Sequence, residues 1–220
     1  MINDIRIETH CHTHYSKDCL MRPKRLIEVC HERGINRLCV TDHNTTKGAF
    51  EMASLAPDLI IPGVEIMTTK GELIALFVEK EVPYGLDPLD TVERFRDQGA
   101  VILVPHPFDS RRHGSWSESD LRMIAPHVDA IEVFNSRALN ASMNNNASLF
   151  ANELGLMPTV GSDAHSYSEV GKSTMYMQDY VDSDAFVANL NAAILDTNSS
   201  SPLVHLASRW AVLVRKMNKE

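Results

Sequence analysis

The sequence of 220 residues has few cysteines and no long apolar run, and each absence excludes a class of protein. Its four cysteines form no C-x-x-C pair and lie in the first fifth of the chain, at Cys11, Cys19, Cys30 and Cys39. That spacing fits neither a zinc ribbon nor a disulfide framework, so we expect reduced thiols and a cytoplasmic location. No apolar run is long enough to cross a bilayer, and charges interrupt the amino-terminal segment MINDIRIETH, which therefore lacks a signal-peptide pattern.

The chain also has fewer positively charged than negatively charged residues. The chain carries 21 Lys and Arg residues against 29 Asp and Glu residues, a formal net charge of −8 at pH 7. Because a broad nucleic-acid or membrane-binding surface needs an excess of cations, we expect no stable nucleic-acid partner and no membrane association. A phosphate group could still be attracted locally by bound metal ions, since such ions dominate the field around them.

What the sequence does contain is one repeated pattern, a strand-forming apolar run that ends in a metal-ligand side chain. The residues that end or closely follow such runs are His10 and His12, His43, Glu65, His106, and Asp163 and His165. In a strand, residues i and i+2 point to the same face, so the H-x-H and D-x-H pairs each direct two side chains one way. Imidazole and carboxylate groups are common metal ligands. The pattern therefore predicts a metal site assembled from distant parts of the chain.

Strand-like and helix-like segments alternate along the chain, which predicts an α/β fold with a largely parallel sheet. The predicted strands cover 5–9, 37–41, 59–65, 72–79, 101–105, 130–135 and 157–161, and the predicted helices cover 23–33, 46–56, 88–98, 118–124, 142–154 and 184–195. An open doubly wound sheet is the alternative. It would bring ligands from the first and last strands together poorly, whereas a closed barrel gathers strand ends at one face, so we predict a barrel.

The segment 196–201 (DTNSSS) separates the predicted barrel from a last helix over 202–216. We therefore expect a barrel domain over residues 1–198 and a C-terminal helix within residues 199–220 that packs on the barrel. A helix that binds a partner or a membrane surface is the alternative.

The motifs resemble those of a known family, the PHP (polymerase and histidinol phosphatase) domain family. They are H-x-H at the first strand, TDHN at the second, PGVE at the third, PHP at the fifth and GSDAH at the seventh, and they span Ile5 to about Tyr176. The resemblance implies a distorted seven-stranded (β/α) barrel, two or three divalent metal ions (Mn, Fe or Zn) and phosphoester hydrolysis.

The resemblance also implies a distribution of ligands. A first metal would be held by His10, His12, Glu65 and Asp163. Glu65 would bridge to a second metal that His106 also binds. A third metal would be held by Asp18, His43 and His165. His14 is a rival to Asp18, because it shares the period-two face of His12.

The chain departs from the family pattern at the start of the fourth strand, where many members have a histidine and this sequence has Glu72. Either Glu72 is a carboxylate ligand of the second metal or that metal is weakly bound. A carboxylate there would favour Mn²⁺ or Fe²⁺ somewhat over Zn²⁺.

Several residues are candidates for catalysis and for phosphate binding. Glu65, Asp163 and His165 are the catalytic candidates, because a hydroxide held by two or three divalent ions is a nucleophile at neutral pH. Arginine binds phosphate through paired hydrogen bonds. The phosphate-binding candidates follow the fifth and sixth strands and are Arg111, Arg112, Asn135 and Arg137. Alternatively, Arg111 and Arg112 are solvated loop charges, and Asn135 caps the next helix.

We therefore expect a metal-dependent phosphoesterase that acts on a small phosphorylated metabolite or nucleotide. A hydrolase of another bond, such as an amide or a carboxylic ester, is one alternative. A non-catalytic metal-binding module is the other.

Overall fold

The structure is a computed structural model, and it describes residues 4–217. Within these residues the strands are β1 (Asp4–Cys11), β2 (Arg37–Val40), β3 (Ile60–Met67), β4 (Glu72–Leu76), β5 (Val101–Val104), β6 (Ala130–Asn135), β7 (Met157–Gly161), β8 (Ser173–Gln178) and β9 (Ile194–Thr197). The helices are α1 (Pro23–Glu32), α2 (Lys47–Leu55), α3 (Pro88–Arg96), α4 (Glu118–Ile124), α5 (Ala141–Leu154), α6 (Ser183–Leu190) and α7 (Val204–Met217), with a 3-10 turn at Ala125–His127.

The first seven strands form a nearly closed barrel, as the sequence predicts. They lie side by side in chain order from β1 to β7. The segment after β7 then returns to β1, where the Asp163 amide donates to the His10 carbonyl at 2.9 Å and the His12 amide donates to the Ala164 carbonyl at 3.0 Å. This return brings the first and seventh strand ends together.

The described sheet has nine strands rather than seven. β8 pairs with β1 and β9 pairs with β8, both antiparallel. The sequence predicted neither of these strands. In place of β9 it predicted a helix that continues to Leu195, whereas α6 ends at Leu190 and β9 begins at Ile194. The two additional strands continue the sheet beyond the barrel.

The barrel is also less parallel than expected. β1, β2 and β3 are parallel, as are β5, β6 and β7, but β4 is antiparallel to both of its neighbours. Only residues 68–71 join β3 to β4, and so short a connection cannot carry a parallel crossover. As a result, Glu72 at the start of β4 lies opposite Met67 at the end of β3. This reversal puts the first residue of β4 at the same end of the barrel as the carboxyl ends of the parallel strands.

Local sequence chemistry explains where most helices begin and where α5 ends. Pro23 is the first residue of α1, where a missing amide hydrogen costs nothing. Gly155 ends α5 with a φ of 66°, a conformation that glycine adopts without strain. Side-chain oxygens cap the first turns of α3, α4, α5 and α6, and they belong to Asp87, Ser117, Asn140 and Asp182.

The carboxyl-terminal helix α7 turns its polar and small residues toward the barrel. Ala211 is buried, Ser208 accepts a hydrogen bond from Arg137, and Arg215 donates to the carbonyls of His14 and Cys19. Its large apolar side chains are instead 52–61 % exposed, at Leu206, Trp210, Leu213 and Met217. Of the helices in residues 4–217, none combines the length and the apolar character needed to span a bilayer.

Candidate metal centre

The predicted metal ligands converge at one end of the barrel. His10 and Glu65 lie near the ends of β1 and β3, and Glu72 begins β4. The other ligand candidates follow strand ends, at His12, Asp18, His43, His106, Asp163 and His165. All of them are buried except His43 and Asp18, whose side chains are partly exposed.

Four ligand atoms form a compact group at the centre. They are Nε2 of His10, Nε2 of His12, Oε2 of Glu65 and Oδ1 of Asp163. Their measured separations are 3.1, 3.3, 3.4, 3.5 and 3.7 Å. A tetrahedral metal ion with bonds of ordinary length separates its ligand atoms by about 3.4 Å. The spacing therefore fits one divalent ion at this position.

The same group contains polar atoms that the protein leaves unsatisfied. Among residues 4–217, Oε2 of Glu65 and Oδ1 of Asp163 are buried and have no hydrogen-bond partner. A buried carboxylate oxygen without a partner is costly. A cation held between these oxygens and the two imidazoles would satisfy them, so the donor set fits a metal.

Glu65 also connects this group to a second one. Its other oxygen, Oε1, lies 2.8 Å from Nε2 of His106. Oε2 of Glu72 is 3.9 Å from the same nitrogen, and Oε1 of Glu72 is 3.9 Å from Nδ1 of His43. Because the two oxygens of Glu65 face different histidines, the geometry fits a carboxylate that bridges two ions.

The backbone around Glu72 directs its side chain into the cluster. The Glu72 amide donates to the Gly114 carbonyl at 3.0 Å, and the Trp116 indole donates to the Glu72 carbonyl at 2.9 Å. A Cβ at Gly114 would lie 2.5 Å from Cγ of Glu72, so only glycine fits there without displacing the carboxylate side chain.

A third group lies at the edge of the cluster. The ring nitrogens of His12, His43 and His165 lie close enough together to hold an ion. Oδ2 of Asp18 is 3.1 Å from Nε2 of His165, and its Oδ1 is 3.9 Å from Nε2 of His43. His14, the rival to Asp18, instead packs its ring against Tyr15, with centroids 4.5 Å apart. The structure thus brings Asp18 into the cluster and leaves His14 beside it.

In three histidines of the cluster, a hydrogen-bonding neighbour of Nδ1 determines which ring nitrogen carries the proton. Nδ1 of His10 contacts Oε1 of Glu132 at 3.0 Å, and Nδ1 of His165 contacts the Asp163 carbonyl at 2.8 Å. Nδ1 of His12 lies 3.2 Å from the Ser16 hydroxyl. When each Nδ1 donates its proton to these acceptors, Nε2 is left with a free lone pair directed at the cluster.

Glu132, which the sequence did not identify, contacts two of the ligand histidines, His10 and His106, on the side away from the cluster. Its Oε2 accepts hydrogen bonds from the His106 amide at 2.8 Å and from Asn135 at 2.9 Å. A Cβ at Gly161 would lie 2.3 Å from Oε1 of Glu132, so the close approach requires glycine. A carboxylate in the middle of the apolar strand AIEVFN was the sequence feature that could have revealed it.

Asp42 is a second missed residue. Its carboxylate accepts hydrogen bonds from the Thr13 amide and hydroxyl and from the Ser16 hydroxyl, at 2.6–2.7 Å. Ser16 donates to Asp42, and it accepts hydrogen bonds from the His43 amide and from the His12 ring. The motif TDHN contains Asp42 next to His43, but nothing in the sequence indicates that Asp42 contacts His12 through Ser16.

Two candidate ligands have strained backbones. His106 has a φ of 29° and Asp163 a φ of 53°, both in the left-handed region that side chains other than glycine seldom adopt. Such conformations cost about 1–3 kcal/mol each and occur mostly at functional sites. Here the strain places both side chains at the cluster.

The electrostatics keep two carboxylates charged despite their burial. Burial alone would raise the pKa of Asp163, but Arg112 and His10 hold it well below its usual range. Likewise burial opposes ionisation of Glu65, while His10 and His43 hold its pKa well below the usual value. The pKa of Glu72 is raised, chiefly by burial and then by the neighbouring charge of Glu65. The cluster is thus rich in negative charge, which suits a cation.

The arginines predicted to bind phosphate lie in different surroundings. Arg112 contacts Oδ2 of Asp163 and lies 3.1 Å from Oδ2 of Asp109. Arg111 is exposed. Both line a cavity of about 600 Å³ over the cluster, together with Asp18, His43 and His165.

Arg137 and Asn135 are held by the protein itself. Arg137 is buried; it donates to Ser208 at 2.8 Å and to the Asp163 carbonyl at 3.4 Å, and its Nε lies 3.4 Å from Glu169. Asn135 donates to Asp163 at 3.3 Å and to Glu132 at 2.9 Å. Both residues therefore surround Asp163 rather than stand free at the cavity mouth.

Comparisons with known proteins agree with this geometry. A family model described as PHP domain matches residues 8–87, and one described as PHP-associated matches residues 141–193. An uncharacterized protein of Methanocaldococcus jannaschii is 37% identical over 174 residues, which cover 77% of this chain and 69% of that protein.

Two solved structures are similar in fold. PsfC from Pseudomonas syringae has a TM-score of 0.72 and 20% identity, over 96% of this chain and 99% of its own. A two-domain protein from Bacteroides vulgatus, described as containing a predicted PHP-like metal-dependent phosphoesterase, has a TM-score of 0.70 and 17% identity, over 89% of this chain and 65% of its own. At these identities the two structures support the fold alone.

Proposed function

The chain belongs to the PHP domain family, and from this premise we propose that it is a metal-dependent phosphoesterase acting on a small phosphorylated metabolite or nucleotide. Family membership and the ligand clusters support the broader statement that it is a metal-dependent hydrolase. The observation that carries the narrower proposal is the position of Arg112. This cation lies against Asp163, beside the unpartnered ligand atoms, at the wall of the cavity over them.

We propose two or three divalent ions, with Mn²⁺, Fe²⁺ or Zn²⁺ as candidates. His10, His12, Glu65 and Asp163 would hold the first, Glu65, Glu72 and His106 the second, and Asp18, His43 and His165 the third. Ions at these positions would supply Lewis acidity and lower the pKa of water to about 7. Glu65, through its two oxygens, would fix the spacing of the first two ions.

The protein's own side chains would position the substrate. Arg112 can present paired N–H groups to a phosphate at the cluster, and Arg111 stands further out along the same cavity. His165 and Asp18 lie 3.1 Å apart at the cavity wall, so the third ion that they would hold would lie beside the bound phosphate. The contacts of Arg137 and Asn135 favour a supporting role, in which they hold Asp163 in its strained conformation.

The size and charge of the site support a small substrate. The cavity of about 600 Å³ suits a metabolite-sized molecule. The net charge of −8 disfavours a nucleic-acid partner. We also propose a cytoplasmic location, because all four cysteines are buried free thiols.

The direct test compares two esters of one leaving group. Protein stripped by a chelator and reconstituted with Mn²⁺, Fe²⁺ or Zn²⁺ should release p-nitrophenol from p-nitrophenyl phosphate and not from p-nitrophenyl acetate. Turnover of the acetate alone would indicate a hydrolase of another bond. Absence of metal-dependent turnover with either ester and with a panel of phosphorylated metabolites would indicate a non-catalytic module.

A matched pair of histidine variants controls for general damage. His12→Ala removes a ligand from the cluster, whereas His31→Ala removes an exposed histidine on α1. The phosphatase activity should be lost in the first variant and retained in the second.

A further inference from the structure

A second cavity of about 580 Å³ adjoins the one over the metal cluster. We call it the lateral cavity, and it lies between β6, α5 and the segment 195–205. The two cavities share four lining residues, which are Arg137, Leu139, Pro202 and His205. A molecule bound at the cluster could therefore extend toward the lateral cavity along this shared rim.

The lateral cavity contains no free formal charge among its lining residues. Arg137 and His205 are the ionisable groups in that lining, and Arg137 is paired with Glu169 and Ser208. Burial and the nearby Arg137 guanidinium lower the pKa of His205, so its ring is neutral near pH 7. A second phosphate or a carboxylate would find no unpaired cation here.

The lining instead combines apolar surface with neutral hydrogen-bonding groups. Val133, Phe134 and Leu195 contribute apolar surface, and Asn145 contributes an amide. The hydroxyl of Ser200 is buried and has no hydrogen-bond partner among residues 4–217. A buried hydroxyl without a partner is costly, so a ligand that bonds to it would gain affinity.

We infer that the lateral cavity binds the organic part of the phosphoester, and that this part is uncharged and carries both an apolar face and hydrogen-bonding groups. This inference rests on the proposed function, and it narrows the substrate class to phosphoesters of neutral, metabolite-sized alcohols. Residues of α5 and of the segment before α7 would then determine specificity, while the cluster performs the hydrolysis.

Two neighbouring asparagines on α5 provide a matched test. Asn145 lines the lateral cavity, whereas Asn146 lines neither cavity, and both are exposed, so a change at either should leave the fold intact. Asn145→Trp places a bulky ring at the cavity and Asn146→Trp does not. Ser148→Trp, at another lining residue, is the second blocking variant.

The probes are p-nitrophenyl phosphate, the larger 4-methylumbelliferyl phosphate, and 3-carboxyumbelliferyl phosphate, which adds a negative charge to the larger ring system. The wild-type protein should prefer the uncharged larger ester to both others by about tenfold in kcat/KM, a typical specificity for an apolar pocket. Asn145→Trp and Ser148→Trp should remove that preference by raising KM, and Asn146→Trp should keep it.

The outcomes separate this inference from the proposed function. Equal use of the three esters by the wild-type protein, or an unchanged preference in both blocking variants, would overturn the inference while the phosphoesterase proposal stands. If the wild-type protein hydrolyses none of the esters, the proposed function fails, and equilibrium dialysis with 4-methylumbelliferyl phosphate tests the cavity. The inference then holds only if the blocking variants bind at least about tenfold more weakly than Asn146→Trp.

Discussion

Oε1 of Glu132 lies 3.0 Å from Nδ1 of His10, on the side of the ring that faces away from the ligand cluster. This contact fixes which nitrogen of His10 carries the proton and leaves Nε2 free to bind a metal. Glu132 is itself held by the His106 amide and by Asn135, so one buried carboxylate organises three residues of the site.

Removing this carboxylate should weaken metal binding without removing a ligand. We predict that Glu132→Ala lowers metal affinity about 10- to 100-fold, the usual effect of losing a partner that orients a metal-binding histidine. Competition with a chelating dye measures it. Glu118→Ala, on the exposed surface of α4, is the control and should bind metal like the wild type. Equal affinity in the two variants would show that Glu132 does not orient His10.

Glu72 is the position where the chain departs from the commoner family pattern, and its side chain faces His43 and His106. We predict that Glu72→Ala loses about one metal per chain and most activity, because the second site depends on this carboxylate. Glu72→His should keep the fold and shift the activating metal toward Zn²⁺. Full metal content and rate in Glu72→Ala would show that this carboxylate binds no metal.

Replacing Arg137 should chiefly lower the stability of the protein, whereas replacing Arg112 should chiefly lower its activity. Arg137→Ala leaves the buried Glu169 with its hydrogen bonds from the His165 amide and the Ser166 hydroxyl but without its cation, and breaking a buried ion pair costs about 3–5 kcal/mol. The free energy of unfolding, from denaturant titration, should fall accordingly.

Arg112→Gln should instead lower kcat/KM for the phosphate ester and should cost less stability than Arg137→Ala, since its side chain is partly exposed and the bound ions would still pair with Asp163. A stable but inactive Arg137→Ala would place Arg137 on the substrate, as the sequence alone led us to expect.

The four cysteines should be unreactive in the native protein. All are buried free thiols, and burial raises the pKa of each, that of Cys30 to about 12. Because the thiolate is the reactive form, a thiol reagent such as Ellman's reagent should modify none of them until the protein is unfolded. In denaturant it should modify four per chain. Rapid modification of the native protein would show that this region opens readily.

The sequence predicted the barrel and most of its elements because each ligand motif ends an apolar strand. His10, His43 and His106 could be placed at one end of a barrel from their order in the chain alone. The pairing of β8 with β9 could not be predicted, because β9 lies where the composition favours the end of a helix. Its formation depends on pairing with β8, which is a tertiary contact.

The residues that hold the ligands in place could not be predicted from the sequence, for a different reason. Glu132 and Asp42 act through contacts with His10 and Ser16 that join distant parts of the chain. The choice between His14 and Asp18 likewise depends on the path of the loop after β1. The role of Arg137 was expected from its position after a strand, but whether its charge is free depends on Glu169, which comes from another segment.

The central claim is that the converging side chains form a multinuclear metal site, and the metal content of the purified protein tests it most directly. The protein should be reconstituted with Mn²⁺, Fe²⁺ or Zn²⁺ and freed of loosely bound ions. Inductively coupled plasma mass spectrometry should then find two or three equivalents of metal per chain. Glu65→Gln should contain the least, because the two oxygens of Glu65 lie toward different histidines and would bind both the first and the second ion. A content below one equivalent with every metal in the wild-type protein would contradict the account.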